Sequence, residues 1–135
     1  MDESQEVMNN LWNDKKGLHF WCKAIPISKY SKNKLKKDIA SQILKKRTQE
    51  DIFLKDLSKK YYNEIIDLVL IFSIHKSRWR TKSNDVDNLI KHTLDCLKSE
   101  LFEDDGQIKK ITATKYLVKS SLQEGTGIIV SKFEK

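Results

Sequence analysis

One stretch of the chain limits its fold more than any other. From Ile65 to Ile74 it reads IIDLVLIFSI, apolar at even and odd positions alike and rich in β-branched side chains. A half-buried strand alternates with period two, and an amphipathic helix repeats every 3.6 residues; this run does neither. It predicts a strand over Tyr62 to His75, covered on both faces at the centre of a sheet. Asp67 interrupts the run, which is far shorter than the roughly 20 residues a membrane span needs. A strand of this kind requires neighbours on both edges and side chains packed against both faces, so the rest of the chain must supply them.

Candidate partners stand on either side. Gly17 to Ile27 (GLHFWCKAIPI) is aromatic and apolar enough for a strand stopped by Pro26. Lys34 to Arg47 places Leu35, Ile39, Ile43 and Leu44 at helical spacing, and Thr48 to Lys60 reads as a second short helix with Ile52, Phe53 and Leu57 inward. Asn84 or Asp85 caps a helix whose stripe is Val86, Leu89, Ile90, Leu94, Leu97 and Leu101. After Gly106, Gln107 to Val118 reads as a strand through Ile108, Ile111, Ala113 and Leu117. Gly125-Thr126-Gly127 then turns into a last strand, IIVSKF. The expected architecture is α+β: one domain, residues 17–135, with helices packed on a mixed four-stranded sheet in the order β-α-(α)-β-α-β-β. Residues 1–16 are polar without a sustained period and read as a loose extension.

Composition narrows the partners. Of 135 residues, 26 are Lys or Arg and 19 are Asp or Glu, a net charge of +7 that favours a polyanion. With only four Gly and one Pro, linker-like and turn-dense all-β designs are excluded. Cys22 and Cys96 are too few for a disulfide framework or a Cys-rich zinc site and suit reduced thiols in a cytoplasmic protein. The acidic start MDESQE lacks the layout of a signal peptide. No nucleophile elbow, phosphate-binding loop or dinucleotide fingerprint occurs, and His19, His75 and His92 stand apart from one another.

The chemistry concentrates between residues 75 and 105. His75-Lys76-Ser77-Arg78-Trp79-Arg80-Thr81-Lys82-Ser83 holds four permanent cations, no acid and one Trp, a composition suited to phosphate and stacking contacts. A second basic stretch, Lys29 to Arg47, has only Asp38 against eight cations. Against this sign stand Asp85 and Asp87, then Glu103-Asp104-Asp105. In mid-helix, residues two apart point about 200° away from each other, so Asp85 and Asp87 share a site only at a helix start, one outside the first turn and the other within it. Such acids are also what a helix N-terminus uses for capping and for its dipole. Carboxylates brought together repel by up to about 4 kcal/mol per close pair, and such a cluster persists when a hard cation takes its oxygens. Lys91 lies four residues after Asp87, and Asp95 four after Lys91, spacing that also suits a plain i,i+4 ladder.

At these residues the sequence resembles the RusA family of Holliday-junction resolving endonucleases of bacteria and their phages. The likeness rests on DVDNLIKHTLDCL followed by LFEDDGQI, matching an Asp-x-Asp-Asn-Leu start, a Lys four residues after the second Asp, and a downstream Asp-Asp-x-Gln. It is close over residues 84–118, and the element order extends it to most of residues 17–134. The resemblance implies metal-binding or catalytic roles for Asp85, Asp87 and Asp105, with Asp104 a lesser candidate, and matches Lys91 to the family's active-site Lys. It further implies a homodimer, Mg²⁺ (with Mn²⁺ a plausible substitute) at each of two sites, and paired symmetrical nicks in branched DNA for recombination and repair. Lys76, Arg78, Arg80 and Lys82 are the expected DNA contacts. The alternatives are a basic DNA-binding protein without hydrolysis, whose Asp residues only cap, and a nuclease for another branched substrate.

Overall fold

A computed structural model of the chain describes residues 17–48, 66–79, 85–98, 100–102 and 105–132. Its elements are β1 (Leu18–Cys22), α1 (Lys29–Thr48), β2 (Ile66–His75), α2 (Val86–Leu97), β3 (Ile108–Val118) and β4 (Gly125–Lys132). The apolar run becomes β2, an interior strand of a sheet ordered β1-β4-β2-β3. It pairs antiparallel with β4 and parallel with β3, and β1 closes the other edge antiparallel to β4. The sheet is therefore mixed, and the α+β expectation holds.

Every residue from Asp67 to Ile74 is buried, as a run without alternation requires. On one face Leu68, Leu70, Phe72 and Ile74 join Phe20 of β1, Leu35, Ile39 and Ile43 of α1, and Leu89, Cys96 and Leu97 of α2. On the other, Val69 and Ile71 meet Tyr116 of β3 and Ile129 of β4. Each fully buried Leu, Ile or Phe contributes about 1.5–3 kcal/mol, so the two faces of β2 supply much of the driving force for folding.

Several boundaries differ from expectation. α1 begins at Lys29, earlier than the apolar spacing indicates, because Ser28 caps it: Ser31 N–H donates to Ser28 Oγ (3.1 Å), and Ser28 N–H donates to Ser31 Oγ (3.0 Å). Leu44 is 66% exposed, since it lies about 100° round the helix from Ile43. Thr48 ends α1 instead of opening a second helix, and residues 49–60, where that helix was expected, lie outside the described residues, as does the extension over 1–16. α2 stops at Leu97, and Leu101 reaches the core from the turn that follows.

On β3 the expected inward residues Ile111 and Leu117 are 39% and 47% exposed, while Tyr116 and Val118 on the opposite face are buried. Ile111 and Leu117 pair with Leu68 and Ile74 and so share the helix-facing side, but β3 is the edge strand, and that side is incompletely covered there. Gly125-Thr126-Gly127 lies within β4, and the turn before it is Ser121–Gln123, closed by a capping box from Ser120 and Gln123. Among the described residues no helix is long and apolar enough to cross a membrane.

Gly125 marks a close approach of β4 to β1: a Cβ there would stand 2.6 Å from the Cys22 carbonyl oxygen and 2.6 Å from Cζ2 of Trp21. The indole can swing aside, but the backbone oxygen cannot without parting the strands. Gly125→Ala should lower the free energy of unfolding by about 1–3 kcal/mol, read as an earlier midpoint in a urea titration.

Candidate metal and nucleic-acid site

The site grows from the end of β2. Because β3 runs parallel to β2, with Ile66 opposite Ile108 and His75 opposite Val118, the intervening chain must travel back roughly 30 Å, the length of a ten-residue strand. The basic segment begins this return, α2 continues it, and the short helical turn Asp105–Gln107 ends it just before β3.

The first part of the basic segment is tied down. At the end of β2, His75 N–H donates to Glu124 Oε2 (2.9 Å). A helical turn over Lys76–Arg78 follows, with the His75 imidazole accepting from Ser77 N–H (3.3 Å). Arg78 then reaches back, its Nη2 donating to Glu124 Oε1 (2.6 Å) and its Nε to Oε2 (3.3 Å). This two-pronged, charge-assisted pairing fits the planar guanidinium to the carboxylate. Trp79 is held from the other side, with the Lys115 ammonium 4.3 Å from its ring centroid and donating to its carbonyl oxygen (3.2 Å). Arg78, expected on DNA, is thus engaged by Glu124; Lys76 is exposed. Arg80 and Lys82 lie outside the described residues.

Asp85 and Asp87 occupy the arrangement that the spacing required, one just outside the helix and one in its first turn. Asp85 is the N-cap residue, with extended backbone (φ −62°, ψ 140°), and its carbonyl accepts the Leu89 N–H (3.0 Å). Its carboxylate, however, makes no capping hydrogen bond. Both acids are exposed, and so is Lys91 one turn further on. The opposite side of α2 fixes the helix: Leu89, Thr93, Cys96 and Leu97 are buried, and Thr93 Oγ1 donates to the Leu89 carbonyl (2.7 Å). Asp95, which the spacing paired with Lys91, instead accepts from Lys32 Nζ of α1 (2.9 Å). That hydrogen bond holds the Asp95 carboxyl below its ordinary range despite some burial.

Asp105 opens the turn before β3, with α2 lying between it and the Asp85–Asp87 pair in sequence; its side chain and Asp104 lie outside the described residues. Among the described residues no three His, Cys, Asp or Glu gather into a cation site. The oxygens of Asp85 and Asp87, exposed and not spent on capping, are the hard donors that Mg²⁺ or Mn²⁺ takes alongside water and phosphate. The cysteines belong to the core instead: burial pushes the Cys22 thiol up strongly and the Cys96 thiol up to about 11, so neither is a thiolate near neutral pH.

Glu124 and Lys115 escaped sequence reasoning. Glu124 is 46 residues from Arg78, beyond the reach of any local pattern, and Lys115 sits in an ordinary edge-strand sequence. The one local hint was the Ser120–Gln123 capping signature, which sets the turn from which Glu124 projects.

In the comparisons with known proteins, the family model described as endodeoxyribonuclease RusA matches residues 30–130 of the chain. No curated protein and no solved structure matches it.

Burial raises the Glu124 carboxyl, but Arg78 and the His75 N–H outweigh it and hold it below its ordinary value. A carboxyl lowered in the fold stabilises the native state above the unfolded-state value, about 4.3. That stabilisation is lost as pH falls through the folded-state value. Thermal melts of Glu124→Gln should therefore lose less stability than wild type between about pH 5 and 3, although the variant starts from a lower melting temperature at neutral pH.

Proposed function

The chain belongs to the RusA endodeoxyribonuclease family, and from that premise we propose that it resolves four-way DNA junctions by paired symmetrical nicks in the presence of Mg²⁺, in recombination and repair. The observation that carries this reading is Asp85, an N-cap residue whose carboxylate does not cap. A purely structural N-cap Asp would place its oxygen on the N–H groups of the first turn. An oxygen withheld from them, beside the exposed Asp87, supports a task other than helix stability.

In this reading Asp85, Asp87 and Asp105 would hold the ion, with Asp104 adjacent to the set. When bound, the ion supplies an acidified water and positive charge at the scissile phosphate. Lys91, one turn beyond Asp87, offsets charge on the phosphate or on the departing oxygen. Lys76, Arg80, Lys82 and the exposed lysines of α1, Lys34, Lys36, Lys37 and Lys45, grip the duplex arms through their phosphates, with little sequence preference. Arg78 acts differently, through its pairing with Glu124. Symmetrical nicking needs two sites facing opposing strands, so two copies of the chain form the working unit.

Asp87→Asn keeps the size of the side chain and removes the negative oxygen. It should lower Mg²⁺-dependent nicking of a synthetic four-way junction by about 1000-fold or more, while junction affinity measured without metal stays within about twofold. Persistent nicking by the variant would sink the site assignment. A wild-type chain that binds the junction but gives no product with Mg²⁺ or Mn²⁺ would leave a binding protein. Preferential cutting of flap or linear DNA in the same assay would move the substrate, and light scattering of the active species reads the number of copies.

A further inference from the structure

We propose that Glu124 and Lys115 are positioning residues for the acidic pair, acting through the segment His75–Trp79. The inference rests on the nuclease reading above and adds to it two residues outside the acidic motif. The segment is the described chain nearest in sequence before Asp85, and it is restrained from two different strands. Glu124, just before β4 and only 8% exposed, takes the backbone N–H of His75 and two nitrogens of Arg78. Lys115 of β3 takes the ring and the carbonyl oxygen of Trp79. β3 and β4 flank β2 on its two sides, so the tethers pull from opposite edges on the chain that leaves β2.

Both tethers have the chemistry of fixed restraints. The guanidinium meets the carboxylate through two donors and holds one orientation, which a single ammonium contact would not. Lys115 combines a cation over an aromatic face with a hydrogen bond to the same residue, which sets both the ring and the backbone of Trp79. Glu124 is itself held by the capping box at Ser120 and Gln123. The far side of α2 is fixed by its buried face and by Lys32. In sequence the acidic pair lies between these two anchored pieces of chain, and freeing the first loosens the placement of the carboxylates at Asp85 and Asp87. Rates of this kind of chemistry fall by about tenfold to a hundredfold for displacements near 1 Å.

This role separates from a DNA-gripping one. A residue that contacts phosphate lowers the salt dependence of binding when removed, by about 0.9 in the log–log slope per contact. A positioning residue leaves that slope alone and lowers the rate of the bound complex. The test uses the full chain as wild type, Glu124→Gln, Lys115→Met and Lys115→Arg. Junction affinity across salt is measured without metal, single-turnover nicking with Mg²⁺, and amide exchange over residues 75–79.

Glu124→Gln and Lys115→Met should each slow nicking by about tenfold or more, leave the salt slope unchanged, and speed exchange over 75–79 with β2 still protected. Lys115→Arg, which keeps a cation and a donor, should restore the rate. Equal losses of affinity and nicking, an unchanged rate despite faster exchange, or no rescue by Lys115→Arg would each overturn the proposal. If Glu124→Gln does not fold, the two Lys115 variants decide alone. If the wild-type chain nicks no DNA, the nuclease reading fails by itself, and the exchange comparison still decides whether the two residues hold the segment.

Discussion

The structure depends on burying β2 on both faces. A strand with apolar side chains on each side cannot sit at an edge or against water, so its backbone must pair with two neighbours and both faces must be covered. β4 meets the first demand by an antiparallel return and β3 by a parallel one. The parallel pairing is the costlier, because it obliges the chain to run back the length of the sheet before β3 can begin. That return is where the basic segment, the acidic pair and α2 are carried. The position of the candidate site follows from the packing of a strand that takes no part in its chemistry.

Charge is arranged in two ways across the fold. Some of the cations are internal: Arg78 on Glu124, Lys115 on Trp79 and Lys32 on Asp95 each tie one element to another. Others, such as Lys76 and the outward lysines of α1, are exposed. Net charge does not distinguish the two sets; Arg78, although its side chain is 44% exposed, meets a polyanion only by sharing or breaking its contact with Glu124. The pairing of Arg78 with a largely buried carboxylate is the clearest instance, since its guanidinium was expected on DNA from its neighbours in sequence.

Much of the fold was legible because it is written in local patterns. The two-sided apolar run predicted β2, the 3.6-residue stripe predicted α2, and the choice of Asn84 or Asp85 as cap predicted where α2 begins to within one residue. The misplacements are local as well. α1 starts early because two serines cap each other ahead of any apolar residue. Ile111 and Leu117 are more exposed than their apolar character suggests because whether a strand is an edge depends on its neighbours.

Taken alone, the sequence determined the fold class, the order of elements, the acid-rich helix start amid basic stretches, and the likeness to a nuclease family. These rest on spacing along the chain and on side-chain chemistry, which folding does not alter. Tertiary structure decided the strand order, which strands are edges, and which cations are already engaged. It also brought Glu124 and Lys115 onto the segment that leads to Asp85. These contacts join residues dozens of positions apart, and they exist only because β3 and β4 close on either side of β2.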